Sequence, residues 1–556
     1  MLITPEPAAR SSYRLSKSRY LSGLQCHKRL YLEIHAPALA TKPDAATQAI
    51  LDMGTDLGEL ARRRFPGGRL VTAGYRQSQE ALAQTAELLQ DSTVSAIFEG
   101  AFQFDQVLIR VDVLERVGVN ESGQPTWRLV EVKSSTKLKP IHVEDLTIQS
   151  YVLEGAGLVL DDICLMHVNT QYVFDGVELD LGQLFSLRSL NETIRPRLPD
   201  VPSRLTSMHA ALSEMSAPPI APDEHCHSPY ECPFWAHCTQ EKPPRWIYHL
   251  PGSSKTVIQL RELGVETIDE IPDHVTLTQV QRRVRDNREW IGEGLRSALE
   301  KIVYPVHHLD FETFMPAVPK FGDTRPYQVI PTQWSNHIEH PEGMLDHAEY
   351  LCRDGRDPRE ELAVTLLDSL GGEGSICVYS SYERSVLERL AEDFPSLRKD
   401  LKRVIARLWD LHIVIRDHYY HPAFEGSYSI KAVLPAVVPS LSYADLAIRD
   451  GGVAACEYAR MIFTVSDWIE KAQIEEALLR YCERDTLAMV ELRKELKLAP
   501  ASGSKPFHHL HARRFDRLIR HQCDSPQGQQ RHHQRSFSLF KHAALLCETE
   551  SSLELW

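Results

Sequence analysis

The sequence predicts an α/β protein made of two successive α/β units with a helical connector between them. Three observations predict it. Strand-like runs between residues 95 and 135 (SAIFEGAFQF, QVLIRVDVLERV, TWRLVEVKSS) lead into a helical run, EDLTIQSYVLEGAG. A second strand, IVYPVHHLDFETF, opens another unit that closes with a helical stretch at 468–496. At 556 residues the chain also exceeds what a single core holds, so two or three domains are expected.

Composition narrows the class. Hydrophobic residues make up 43% of the chain and charged residues 25%, the balance of a folded, soluble protein. The start, MLITPEPAAR, has no apolar core behind basic residues, and apolar stretches such as GAGLVL are far shorter than a bilayer span. Neither a secretory signal nor a membrane partner is expected. Eleven cysteines, odd in number and mostly isolated, do not make a disulfide framework and fit a reducing cytoplasm.

A formal charge of -14 argues against coating nucleic acid by bulk attraction. It leaves room for a local basic groove. Residues 12–31, SYRLSKSRYLSGLQCHKRLY, hold five Lys/Arg, three Tyr and no acid. That mixture suits phosphate contact and base stacking, and equally a solvated amphipathic segment.

The elements follow in order. Residues 80–100 begin as a helix and pass into strands, and NESGQP (120–125) is a turn between two antiparallel strands. Residues 216–245 are rich in Pro, His and Cys and read as irregular, while 256–295 read as helical. Within the latter, LRELGVETIDEIP has the form of a helix-hairpin-helix, with Gly264 at a tight turn and Pro272 as a stop. Such units bind DNA backbone through turn amides; a plain helical linker is the other reading. PGSSKT lacks the spacing of a phosphate loop, and no ATP motor site is visible, so unwinding would need a helicase or defence-system partner. The His-, Arg- and Gln-rich stretch 498–556 is expected to be a flexible tail.

The first chemical signal lies in VEVKS. Residues two apart share a strand face, so Glu131 and Lys133 project together while Val130 and Val132 point the other way. Asp112, in IRVDVL on the neighbouring strand, reaches the same spot. Two carboxylates can bind a hard divalent cation, and the lysine can orient water or offset phosphate charge. Here the chain resembles the RecB-like branch of the PD-(D/E)xK nucleases, through Asp112, Glu131-Val132-Lys133 and Gln149 on the following helix. The resemblance implies a restriction-endonuclease-like nuclease domain. It also implies an upstream acid, for which Glu59 in MGTDLGELARRRF is the candidate and Glu99 of IFEGAF the second. The family often has a Tyr four residues after the Gln; here Tyr151 comes two after.

CHSPYECPFWAHC places Cys226, Cys232 and Cys238 at equal intervals, and Cys26 lies beside the basic segment. Thiolates select an iron–sulfur cluster or zinc. Resemblance to RecB-like nucleases that hold a [4Fe–4S] cluster with one early and three late cysteines implies the cluster; His225, His227 and His237 keep a Cys/His zinc site as the alternative.

The second signal is LDFETF, where Asp310 and Glu312 share one face. On the helix IEEALLRYCERDTLAMVEL, Ala477, Tyr481, Asp485 and Met489 form one ridge, so Asp485 sits on an apolar inner face. A metal held by Asp310, Glu312 and Asp485 would remove the cost of burying that acid. This part resembles the DnaQ-like (DEDD) exonuclease superfamily, which has an RNase H-like fold. LDFET matches its first motif, and Tyr481 with Asp485 its Y-x3-D motif. Tyr382 and Glu383 stand where the second motif has an aromatic–Asp pair, with Asp410 as a reserve ligand.

The expected plan is a RecB-like nuclease domain at 1–245, a connector at 246–300, a DnaQ-like 3′–5′ exonuclease domain at 301–497 and the tail. The expected function is Mg²⁺- or Mn²⁺-dependent hydrolysis of DNA at two sites, in repair or phage defence. A ribonuclease, or a nucleic-acid-binding subunit with an inactive second site, is the alternative.

Overall fold

The computed structural model describes residues 13–252 and 254–499. The expected tail from residue 500 onward lies outside them. The chain divides into two compact units. The first runs to Glu241 and includes Met315–Gln328; the second takes Lys242–Phe314 and the chain from Val329 onward. Among the described residues, no helix is long and apolar enough to cross a membrane.

The first unit is built on a seven-stranded sheet. Its strands are β1 (Leu15–Ser16), β2 (Arg69–Leu70), β3 (Ala96–Phe104), β4 (Val107–Val119), β5 (Pro125–Lys133), β6 (Val159–Val168) and β7 (Phe185–Ser189). They are ordered β2-β3-β4-β5-β6-β7, with β1 beside β4. The Asn120–Gln124 turn joins β4 and β5 as an antiparallel pair, and the helix Pro140–Gly155 carries the chain from β5 to its parallel neighbour β6. Period-2 alternation gives the sheet two apolar faces. Trp127, Leu129, Ile163 and Leu165 pack with Leu146, Val152 and Leu153 of that helix. Val113, Val130 and Met166 pack on the other face with Leu57 and Ala61, from the helix Ala45–Arg62, and with Ala317 of the inserted segment.

The edge of β4 has two partners. β1 pairs with it in parallel at Val107 and Leu108, while β5 pairs with it only from Val113 to Val119. The strands therefore fork at Asp112. There the Val132 N–H donates to the Asp112 carboxylate at 2.8 Å. The helix Lys17–Gln25, whose first residue follows β1 directly, starts at this fork.

The second unit holds the short strand β8 (Trp290–Ile291) and a five-stranded sheet ordered β11-β10-β9-β12-β13, from β9 (Val306–Phe314), β10 (Ile330–Glu339), β11 (Leu345–Leu351), β12 (Ser375–Val378) and β13 (Leu408–Asp410). The first three form an antiparallel meander; β12 and β13 run parallel to β9. Leu309, Phe311 and Ile376 pack against the helices Arg359–Leu370 and Tyr382–Asp393. The opposite face takes the helix Trp468–Lys497, onto which Gln333, Ser335 and His337 of β10 hydrogen-bond.

The helical reading of 256–295 resolves into two short helices, Ser254–Glu262 and Gln279–Asp286. Gly264 sits at φ +72°, and Val265 N–H closes the turn onto Leu260 O, so the first helix cannot continue. Arg283 is buried and donates to Arg416 O at 2.6 Å and Tyr428 Oη at 2.9 Å. The connector is thus packed into the second unit. In 216–245 only the single turns Glu224–Cys226 and Trp235–Cys238 are helical.

Candidate active sites

In the first unit the side chains converge on Glu131, which is 1% exposed. Lys133 Nζ donates to Glu131 Oε1 at 2.6 Å and to Asp145 Oδ2 at 2.7 Å. Gln149 Nε2 donates to Glu131 Oε2 at 2.7 Å and to Asp145 Oδ1 at 3.0 Å. Lys17 Nζ straddles the Glu131 carboxylate at 2.9 and 3.1 Å and lies 3.4 Å from Asp145. Strand periodicity sets Glu131 and Lys133 on the face covered by the helix Pro140–Gly155, and the four-residue helical spacing stacks Asp145 above Gln149.

The electrostatics separate the three acids. Burial would raise Glu131, but Lys133 and Lys17 hold it below the ordinary carboxylate range. Burial and the charge on Glu131 push Asp112 up to about 7, against the pull of Lys17 and Lys133. Burial and Glu131 also raise Asp145. Asp112, Glu131, Lys133 and Gln149 are therefore one group. Glu59 stands exposed on its helix outside this network, and Tyr151 instead donates to Asp105 at 2.9 Å. Glu99, at φ +54°, pairs with Arg62 at 3.0 Å.

Sequence reasoning missed Asp145 and Lys17. Asp145 had a usable signal, four residues before Gln149 on the same ridge. Lys17 had none, since it lies 114 residues from Glu131 and looked like part of a phosphate-facing surface.

Cys26, at the junction of two helices, and the loop cysteines Cys226, Cys232 and Cys238 form a second feature of this unit. Burial pushes the Cys226 thiol up to about 11, with Cys232, Cys26 and Cys238 each near enough to add to the shift. Gln25 Nε2 ties the loop down through His225 O at 2.6 Å and Tyr230 O at 2.7 Å. His227 turns away to Glu231 at 2.6 Å, while a His225 nitrogen lies 3.6 Å from the Cys226 sulfur.

In the second unit, Asp310 and Glu312 point from β9 toward the helix Trp468–Lys497. Asp310, Glu312 and Cys482 offer ligand atoms that all lie within 4.8 Å of one another. The Cys482 thiol donates to Asp310 Oδ2 at 3.6 Å. Asp485 is buried and accepts from the Tyr443 hydroxyl; Tyr481, also buried, accepts from Lys431 Nζ at 3.0 Å. Glu383 is 3% exposed, and its Oε2 has no hydrogen-bond partner. Asp410 caps the helix Leu411–His418 through Ile413 N–H at 3.3 Å.

Burial, before anything else, holds Asp310, Glu312, Glu383 and Asp485 above the ordinary carboxylate range. Burial, then Asp485, Glu312 and Glu383, raise Asp310 well above its ordinary value. Burial and Asp485 do the same to Glu312, with Lys431 opposing. Burial pushes Glu383 up to about 8, with Asp410 and Asp485 adding to it. Cys482 was missed because one thiol in a helix reads as core; only its position opposite Asp310 distinguishes it.

A protein family described as "Domain of unknown function (DUF2779)" matches residues 307–429. That span holds Asp310, Glu312, Glu383 and Asp410 and stops before Tyr481, Cys482 and Asp485. The chain is also similar to "Uncharacterized protein MG366 homolog" of Mycoplasma pneumoniae, 24% identical over 228 residues and 37% of this chain. The chain spans about a third of that relative's length, 34%.

Proposed function

We propose that the protein is a metal-dependent nuclease that hydrolyses DNA phosphodiesters at two separate sites. The first unit is read as RecB-like, the second as a DnaQ-like 3′–5′ exonuclease. The observation that carries this reading is the acid cluster of the second unit. Asp310, Glu312, Glu383 and Asp485 are brought together, with Lys431 opposing the charge on Glu312 and Asp485 and Arg484 that on Asp485. Buried negative charge in that excess is costly unless cations neutralise it. The strand order β11-β10-β9-β12-β13, with the first two acids on the central strand, supports an RNase H-like reading. The fork that presents Asp112 beside Glu131 supports the restriction-endonuclease-like reading.

The carboxylate sets fit Mg²⁺ or Mn²⁺, with Asp310, Glu312, Glu383 and Asp485 as holders in one unit and Asp112 and Glu131 in the other. Such an ion, when bound, supplies Lewis-acid stabilisation and a more acidic water. The chain's own groups do the rest. Tyr481, fixed by Lys431, orients the attacking water, and Lys431 offsets the charge developing on the phosphate. Lys133 has the corresponding place in the first unit.

Cys26, Cys226, Cys232 and Cys238 are assigned a [4Fe–4S] cluster, with zinc as the alternative. The thiols act on one another electrostatically, which supports reading them as one ligand set.

End-labelled single- and double-stranded DNA, with Mg²⁺ or Mn²⁺, tests the reading. Asp310→Asn should remove 3′ trimming and Lys133→Met the remaining cleavage, each by about 10²-fold or more. Unchanged degradation by the double variant would overturn the proposal, and preferential loss of an RNA substrate would make the protein a ribonuclease. The Lys17 ammonium on Glu131 supports a second reading, in which only the second unit cuts; Lys133→Met would then leave degradation intact.

A further inference from the structure

The proposed metal site of the second unit contains a sulfur that the carboxylate reading does not use. Cys482 is fully buried on the inner face of the helix Trp468–Lys497, facing Asp310. Its sulfur and one oxygen each from Asp310 and Glu312 form, among the described residues, a triad of possible ligand atoms within 4.8 Å of one another. Donors about 2.0–2.3 Å from one ion stand roughly 3–4 Å apart, so side-chain rotation of about 1 Å closes the triad. Independently, Glu383, 3% exposed, leaves Oε2 without a hydrogen-bond partner while acting on both Asp310 and Glu312. A buried carboxylate oxygen left unsatisfied beside that triad marks a place for a cation.

We infer that Cys482 is a metal ligand, and that Asp310, Glu312 and Cys482 form a mixed carboxylate–thiolate position. This position takes a borderline ion of the Co²⁺ or Zn²⁺ class in preference to Mg²⁺. The inference rests on reading the acid cluster as a cation site. An all-oxygen set favours hard ions, and one thiolate moves the preference toward softer ones. On binding, the sulfur–metal bond replaces the S–H bond and the proton leaves to solvent. The thiol's present place, donating to Asp310, is the arrangement that an ion would take over.

Co²⁺ alone is the probe, because a cobalt–thiolate bond gives a near-ultraviolet charge-transfer band whether or not the protein is active. Spectra of the full chain are compared with those of Cys482→Ser and Asp310→Asn. The loop cysteines contribute equally to all three proteins and cancel in the differences. The inference expects one equivalent of the band to vanish in Cys482→Ser. It also expects Co²⁺ affinity relative to Mg²⁺ to fall at least about tenfold, the low end for losing even an outer-shell partner. Cys482→Asp should shift the preference back toward Mg²⁺. If Asp310→Asn loses Co²⁺ while Cys482→Ser keeps the wild-type band and preference, the thiolate role is overturned and the cation site stands. If Asp310→Asn binds Co²⁺ as wild type does, the cation site and the inference fall together.

Discussion

Lys17 shows how one side chain sets the state of a site. Its ammonium and that of Lys133 face three acids, the buried Glu131 and Asp145 and the half-buried Asp112. Lys17→Met removes one of the two compensating charges. The metal-free protein should then melt at a lower temperature, and Mg²⁺ should raise its Tm by more than it raises the wild type's; thermal scans with and without Mg²⁺ check both. At this scale the sequence was legible where chemistry and local period coincide. Glu131 with Lys133, and Asp310 with Glu312, declare themselves by alternation in an apolar strand. Lys17 and Cys482 acquire their meaning only from partners more than a hundred residues away, across a fork and a helix face that no local pattern encodes.

The helix Trp468–Lys497 works as a single part of 30 residues. Its middle carries Tyr481, Cys482 and Asp485, and its last turns carry Arg493, which is fully buried. Arg493 donates to Glu339 of β10, with Nε 3.3 Å from His308 of β9. This contact fixes the register of the helix along the sheet. Arg493→Met would strand Glu339 in the core, and unfolding in urea should show a loss of about 3–5 kcal/mol. The helix was legible at 468–496 because its buried positions recur at helical spacing over many turns. The connector was less so. Its apolar pattern continues past Gly264, and only the tertiary anchoring of Arg283 shows that two short helices lie there, packed into the second unit.

Across the molecule, buried histidines and buried carboxyls pull the response to acid in opposite directions. Burial lowers His142 in the first unit and His307 and His337 in the second, each from 6.5 to about 4. Above pH 6.5 both the folded and unfolded chains leave these rings neutral, so no penalty arises. Between 6.5 and 4 the unfolded chain takes up protons that the fold refuses. Each ring therefore withdraws up to about 1.4 kcal/mol of stability per pH unit there. The carboxyls that burial raises, such as Asp112 at about 7 and Glu383 at about 8, act with the opposite sign, so a ring shows as a difference: from pH 7 to about 5 the urea midpoint of His337→Gln should rise relative to that of the wild type. The strand β3, the strands that carry Asp112, Glu131 and Asp310 and the closing helix of the second unit were readable from the sequence; the remaining strands were not. The return of Met315–Gln328 to the first unit was not, because nothing in FGDTRPYQ distinguishes it from an ordinary loop.

That short insertion carries Ala317 into the first unit's core, pairs Thr324 with Phe174, and gives the Tyr327 hydroxyl to Ser134 O, directly after Lys133. The chain therefore leaves and re-enters each body in mid-course. No single breakpoint in the gene can part the two folds intact: a crossover before codon 315 robs the first of a piece of its wall, and one after codon 328 drags along the strand that bears Asp310. The pair is built to be inherited whole.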